Sequence, residues 1–318
     1  MTGVAGVTMD KRNLGSSQLQ VSTVGLGGNN FGGRLDLAAT RRVVDKALDL
    51  GITLIDTADS YGRDGASEDC LGQVLGERRK GIVLATKFGM AGPGTLAGAS
   101  RRYIMQAVEA SLKRLRTDWI DLYQLHRPDP ATPIEETLRA LDDLVRHGKV
   151  RFIGCSNLSA LELADAQATA QRGGLAGFIS CQDQFSLLAR DIERDLIPAM
   201  EAHGQGLLPY FPLASGLLTG KYKRAAMPEG ARLTDSWRHA DRFLSERNWR
   251  IVGALEAFCA RRGHTLIELA FGWLLAKPIV ASVIAGASTP EQVEQNVRAV
   301  GWSLSADDLA EIDRITRP

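Results

Sequence analysis

A closed α/β barrel of eight parallel strands, each followed by a helix, is the fold class this sequence predicts, and three observations predict it. Eight short apolar runs begin near Val24, Thr53, Ile82, Trp119, Val150, Ile179, Leu207 and Ile279. Apolar residues at helical spacing follow each run. Asp56, Lys87, His126, Asn157 and Gln182 each stand at or just past the end of a different run. Strands that are apolar on both faces are buried on both faces, the condition of a parallel sheet under a helical layer. An open doubly wound sheet meets that condition too, but it would spread those polar residues along one edge. A barrel gathers all strand C-termini at one mouth.

The elements follow in order. Residues 1–9 are small and weakly patterned, and we expect a flexible N-terminal segment ahead of a single barrel domain over 10–318. Lys11–Leu14 and Gln18–Ser22, joined by Gly15-Ser16-Ser17, read as a β-hairpin. Thr23–Gly27 is the first barrel strand, and Asp36 is a candidate N-cap for a helix ending at Gly51. Helices are expected over Ser67–Leu75, Ser100–Leu115, from Thr132-Pro133-Ile134 to His147-Gly148, from the capping box Ser159–Glu162, and over Asp191–Ala202. After the seventh strand, Gly206–Phe211, a long irregular loop runs from Pro212 to about Ser245. Helices over Trp249–Arg262 and Leu266–Ala276, a strand Ile279–Ile284 and a last long helix Pro290–Ala299 complete a (β/α)8 TIM barrel with an N-terminal hairpin.

Composition narrows the function classes. With 38 basic and 37 acidic residues the formal net charge is +1, so no bulk attraction to nucleic acid or anionic membrane is indicated. No apolar run is long enough to span a bilayer and no basic-then-apolar leader opens the chain, which makes the cytoplasm the default compartment and small molecules the expected partners. Cys70, Cys155, Cys181 and Cys259 form no CxxC pair, and buried reduced thiols are expected rather than a metal site. His147, His203, His239 and His264 are isolated and lack metal-ligand spacing.

A barrel brings Asp56, Tyr61, Lys87 and His126 to one pocket from three adjacent strand ends. A phenol with an ordinary pKa near ~10 is a weak acid at neutral pH. A neighbouring ammonium favours the phenolate, so Lys87 is expected to lower the Tyr61 pKa, with Asp56 positioning Lys87. His126 can donate a hydrogen bond to an oxygen on which charge develops. Asp59 is expected to shape the loop.

At these residues the chain resembles the aldo-keto reductase family. The resemblance rests on Leu-Ile-Asp-Thr-Ala-Asp-Ser-Tyr-Gly (54–62), Ala-Thr-Lys-Phe-Gly (85–89), Asp-Leu-Tyr-Gln-Leu-His-Arg-Pro-Asp (121–129) and Ile-Gly-Cys-Ser-Asn (153–157), and it runs from the hairpin to Asn296. It implies hydride transfer between a nicotinamide and an aldehyde, ketone, alcohol or sugar hemiacetal, with Tyr61 as general acid/base assisted by Lys87, Asp56 and His126. It further implies that Ser156, Asn157 and Gln182 hold the nicotinamide carboxamide and that Tyr210 stacks on the ring. Pro212, Leu213, Ser215, Gly216 and Lys221 correspond to the loop that wraps the pyrophosphate. Gly286, Ser288, Gln292, Gln295 and Asn296 correspond to the adenosine side, and Gly28 and Asn29 to the barrel mouth. Strict NADPH users carry an arginine where Gln292 stands. NADP(H) is favoured, with Lys221, Arg224, Arg232 or Arg238 as sources of charge, and NAD(H) is left open.

Gly25–Asn30 lacks the third glycine of a Rossmann fingerprint, and Gly216–Lys221 is one residue short of a P-loop, with Tyr222 where Ser or Thr would bind magnesium. Ser156 and Cys155 have no base placed beside them. Two other function classes stay open at this point: an NADP-binding regulatory subunit with slow turnover, like the channel-associated relatives, and a lyase using Lys87 as a Schiff-base amine. Arg127, beside His126, is read equally as a contact to substrate or rim and as a structural residue. Oligomeric state and substrate are not legible; the pocket walls are expected from residues 29–34, 90–99, 127–131 and 213–245.

Overall fold

The structure is a computed structural model that describes residues 9–90 and 98–317, and of residues 237–239 the backbone only. The first eight residues, residues 91–97 of the expected pocket wall 90–99, and the side chains of Arg238 and His239 fall outside it. A hairpin of β1 (Lys11–Asn13) and β2 (Gln20–Ser22) comes first. The barrel strands are β3 (Val24–Gly27), β4 (Leu54–Asp56), β5 (Val83–Phe88), β6 (Ile120–Leu125), β7 (Val150–Ser156), β8 (Ser180–Gln184), β9 (Gly206–Tyr210) and β10 (Val283–Gly286). They pair in parallel in chain order, and β10 returns to pair with β3. The single strand expected over Ile279–Ile284 divides its work. Residues 279–281 pair with β9, where the Leu207 N–H donates to Ile279 O and its carbonyl accepts from Ala281, while β10 itself pairs with β3.

The helices are α1 (Leu37–Asp49), α2 (Ala66–Leu75), α3 (Arg101–Leu115), α4 (Ile134–Arg146), α5 (Ala160–Gly173), α6 (Leu196–Ala202), α7 (Arg232–Asp235), α8 (Trp237–Phe243), α9 (Glu246–Arg262), α10 (Leu266–Leu275), α11 (Pro290–Arg298) and α12 (Ala306–Thr316). From α1 to α6 each packs on the next, and α11 packs back on α1. Asp36 caps α1 and Ser159 forms the expected box with Glu162 on α5. Three expectations are corrected. Thr132 does not cap α4, because its hydroxyl donates to Asp129 Oδ2 at 2.7 Å and Pro133 takes the cap position. Asp191–Ala202 is a short 3-10 turn, Asp191–Glu193, followed by a restart at Leu196 that leaves Pro198 in the first turn, where a missing N–H is harmless. Pro290–Arg298 is not the last helix: α12 follows, opened by a Ser305–Asp308 capping box, and packs on α9.

Strand side chains alternate, so every second residue faces the barrel interior. Leu54, Ala85, Leu122, Leu208, Ala281 and Ile284 form one inner cluster, and Leu14 and Val21 from the hairpin belong to it. The hairpin is thus a plug for the N-terminal end. Arg12 ties it down by donating to Val280 O and Leu275 O, both at 2.8 Å. Two residues beyond Leu54, Ala85 and Leu122, on the same inner face, come Asp56, Lys87 and Gln124. That next layer is polar. All four cysteines are free and buried, and Cys155 and Cys181, paired in register across β7 and β8, have Sγ atoms 3.3 Å apart.

Candidate active site

At the C-terminal end of the barrel lies a cavity of about 660 Å³. At its floor, Lys87 Nζ donates to both oxygens of Asp56, at 2.8 and 2.7 Å, and to Thr57 O at 2.9 Å. It stands 3.4 Å from the Tyr61 hydroxyl. Lys87 is wholly buried and Asp56 nearly so. Asp56 Oδ1 also accepts from Gln182 Nε2 at 2.8 Å and Gln124 Nε2 at 3.3 Å. A buried carboxylate with three side-chain donors is held firmly, and it aims the ammonium at the phenol. The turn carrying Tyr61 is fixed by Gly62 at φ +74°, where a Cβ would come 2.3 Å from Phe31 O.

The electrostatics differ in one respect from the sequence expectation. Burial raises the Tyr61 pKa and Asp56 adds to the rise; Lys87 pulls it down as expected but does not prevail, so the phenol stands above its ordinary value. Burial alone would push Lys87 down, but Asp56 and Tyr61 outweigh it and the ammonium is held above the usual lysine value. Burial, with Lys87 and Arg127 nearby, depresses His126 to about 3, so the imidazole is neutral at working pH. Its ring meets that of Tyr61 edge-on, with centroids 5.8 Å apart, and its Nδ1 is buried with no partner among the described residues.

Around this floor, the Tyr210 hydroxyl donates to Asn157 Oδ1 at 2.8 Å, and Asn157 Nδ2 donates to His126 O at 3.0 Å and to Ser156 Oγ at 2.8 Å. Ser156 Oγ in turn donates to Gln182 O at 2.6 Å. This chain of bonds fixes the Tyr210 ring as a flat wall. With one N–H of Nε2 committed to Asp56, Gln182 keeps Oε1 and its second N–H to meet a carboxamide. Asn29, Pro212, Leu213, Ser215, Gly216, Lys221, Gly286, Ser288, Gln292, Gln295 and Asn296 also line the cavity. Gly28 does not; its N–H donates to Asp56 O and its carbonyl accepts from Ser67 Oγ, behind the wall. Gln292 Oε1 accepts from both the N–H and hydroxyl of Ser288, at 2.8 and 3.0 Å.

A family profile described as the aldo/keto reductase family matches residues 23–317. The chain belongs to the aldo/keto reductase family. A probable voltage-gated potassium channel subunit beta of Arabidopsis thaliana is 38% identical over 300 residues, covering 92% of this chain and 91% of its own. An uncharacterized oxidoreductase of Bacillus subtilis, YrpG, is 36% identical over 319 residues, covering 96% of both. The L-glyceraldehyde 3-phosphate reductase of Escherichia coli K12 is 33% identical over 320 residues, covering 96% of this chain and 92% of its own. This aldo/keto reductase is an oxidoreductase of the nicotinamide-using type, built on a (β/α)8 barrel with an N-terminal hairpin.

Sequence reasoning missed several residues of the site. Gln124 carried a signal: it lies two residues beyond Leu122 on β6 and two before His126, which follows the strand end, hence on the inner face. Arg34 and Arg242 fall within the segments expected to form the pocket walls but were not singled out; both line the cavity. Asp59, expected to shape the loop, accepts from the Tyr103 hydroxyl at 3.1 Å, and its N–H donates to Lys87 O. Burial and the neighbouring Glu68 push it up to about 7.

Proposed function

We propose that the protein, as a single barrel domain over 10–318 in the cytoplasm, reduces an aldehyde or ketone to the alcohol, or runs the reverse reaction, with NADP(H). The observation that carries the reading is Lys87 Nζ placed between the Asp56 carboxylate and the Tyr61 hydroxyl beside a neutral His126. Tyr61 gives its proton to the carbonyl oxygen as negative charge develops there, and Lys87 stabilises the phenolate left behind. Because burial raises the phenol, that proton stays in place until a stronger base arises beside it. A neutral imidazole can donate one hydrogen bond to the same oxygen without adding a competing acid.

The residues present fit a dinucleotide. Gly216 stands at φ +97°, and a Cβ there would meet Lys221 Cε at 3.2 Å, so the loop backbone lies open beneath the lysine. Burial with Arg34 and Arg232 nearby pushes Lys221 down, burial with Arg34 nearby pushes Arg232 down, and an anion would relieve both. Ser156, Asn157, Gln182 and Tyr210 would hold the nicotinamide end; Lys221, Ser288, Gln292, Gln295 and Asn296 would hold the phosphate and adenosine end. When bound, the cofactor supplies or accepts the hydride. The cation group favours NADP(H) over NAD(H), although Gln292 replaces the arginine of strict NADPH users.

Tyr61→Phe tests the reading: we expect turnover of simple aldehydes to fall by ~10²-fold or more, with NADPH still quenching protein fluorescence on binding. Near-normal turnover would sink the assignment. A slow, regulatory role is favoured by one observation, the likeness to proteins named potassium channel subunits beta. Robust wild-type turnover across an aldehyde panel decides against it. Lyase chemistry has no support, since Lys87 Nζ is committed to Asp56 and Thr57 O.

A further inference from the structure

Cationic side chains are concentrated in the cavity although the chain as a whole is nearly neutral. Arg34, Arg127, Lys221, Arg232 and Arg242 line it, against the carboxylates Asp56 and Glu229, and Asp56 is already matched by Lys87. The five fall into two groups. Burial and the charges of Arg34 and Arg232 push Lys221 down, burial and Arg34 push Arg232 down, and Lys221 lies against Gly216 of the glycine-rich loop, so this group sits on that side. That group suits the phosphates of a dinucleotide.

The other two lie elsewhere. Arg127 follows His126 directly at the end of β6. Arg242, from α8, lies over the Phe211 ring with its guanidinium carbon 5.5 Å from the centroid, and it donates to Gln184 Oε1. The Phe211 ring in turn meets that of Tyr210 edge-on, with centroids 5.3 Å apart. These two arginines therefore flank the reacting end of the cavity. Both are exposed to it, and neither meets a carboxylate among the described residues. Two guanidinium groups without a counter-charge beside a neutral histidine and a phenol form a receptor for an oxyanion, to which arginine binds through paired N–H donors.

We propose that the carbonyl substrate carries an oxyanion, a carboxylate or a phosphate, held by Arg127 and Arg242 while its carbonyl faces Tyr61 and His126. This rests on the carbonyl-reductase reading and adds the substrate class to it. A substrate gripped at its charged end presents its carbonyl from a fixed distance, so discrimination arises in KM and in kcat/KM.

The test is kcat/KM with NADPH for two matched pairs: butanal against 4-oxobutanoate, and glycolaldehyde against glycolaldehyde phosphate. The wild type is expected to prefer the charged member of at least one pair by tenfold or more, and which pair it is separates carboxylate from phosphate. In the Arg127→Gln/Arg242→Gln double variant the preference falls to near one, chiefly through a higher KM for the charged aldehyde. Added salt raises the wild-type KM for the charged member more than for the neutral one, as expected for an accessible charged site. Equal kcat/KM within both pairs overturns the proposal and leaves the reductase reading standing. So does a double variant that keeps the preference, or one that weakens NADPH binding while affecting charged and neutral aldehydes alike. No reduction of any of the four aldehydes overturns both.

Discussion

Lys87 Nζ lies 2.7 Å from Asp56 Oδ2, with the lysine wholly buried and the carboxylate at 3% exposure. A pair this enclosed is costly to assemble and costlier to break, because removing one member leaves the other charge without compensation. Asp56→Asn is therefore expected to lose about 3–5 kcal/mol of stability. It should also cut turnover, since the ammonium is no longer aimed at Tyr61. Urea denaturation and an aldehyde assay on the same preparation check both. Loss of turnover with unchanged stability would mean that Asp56 bears on the reaction without anchoring the lysine.

Lys221 and Arg232 are predicted to carry cofactor affinity. Both are depressed by burial and neighbouring cations, so each gains when an anion arrives. Lys221→Ala or Arg232→Ala should raise the dissociation constant for NADPH about tenfold, the effect of losing one charge-assisted hydrogen bond worth about 1.5 kcal/mol. Titration with NADH in parallel decides the cofactor. Tighter binding of NADH than of NADPH by the wild type would overturn the NADP(H) assignment.

Two kinds of buried group give stability opposite dependences on pH. His126 is lowered from 6.5 to about 3 in the fold. Its contribution is complete above pH 6.5 and is lost as pH falls toward 3, by up to about 1.4 kcal/mol per pH unit. Asp183, buried on β8 with Oδ2 unpartnered among the described residues, is raised from 3.8 to about 8 by burial, with the Asn157 backbone N–H opposing. The fold favours its protonated form, so its contribution is complete below 3.8 and is lost as pH rises through 8. Asp183→Asn should therefore gain stability over the wild type at pH 9 relative to pH 5, and His126→Asn should flatten the loss between pH 6.5 and 5. Denaturation midpoints at those pH values measure both. An Asp183→Asn difference that is the same at pH 5 and pH 9 would show a carboxylate ionised throughout.

Much of this was legible in the sequence because it depends on short-range patterns. Strand starts fell within a residue of expectation for seven of the eight barrel strands, since apolar runs bounded by polar ends report burial directly. Asp56, Lys87, His126, Asn157 and Gln182 could be placed at one mouth because parallel topology alone brings strand ends together. What escaped depends on longer-range geometry. The division of residues 279–286 between two neighbours reflects barrel closure, which no local pattern encodes. Arg34 and Arg242 reach the cavity from a loop and from the short helix α8, inside segments too short for periodicity to report. Helix α12 did carry a signal, Ser305–Asp308 ahead of Leu309, Ile312 and Ile315, but with Asp rather than Glu or Gln completing the box.

Gly62 and Gly148 share φ +74° and differ only in what surrounds them. At Gly148, in the turn after α4, a Cβ would meet nothing within 4 Å, so Gly148→Ala carries only the left-handed backbone cost of about 1–2 kcal/mol. At Gly62 the same Cβ would press to 2.3 Å from Phe31 O and 3.0 Å from Ser67 N, both backbone atoms that cannot rotate away. The turn must shift, and Tyr61 is its preceding residue. Gly62→Ala is therefore expected to lose more stability than Gly148→Ala and to lower kcat by tenfold or more, because an ångström of displacement carries the phenol out of line with Lys87 and the carbonyl. Thermal melts and aldehyde turnover on the two variants make the comparison. Equal behaviour of the pair would show that the clash at Phe31 relaxes without moving Tyr61.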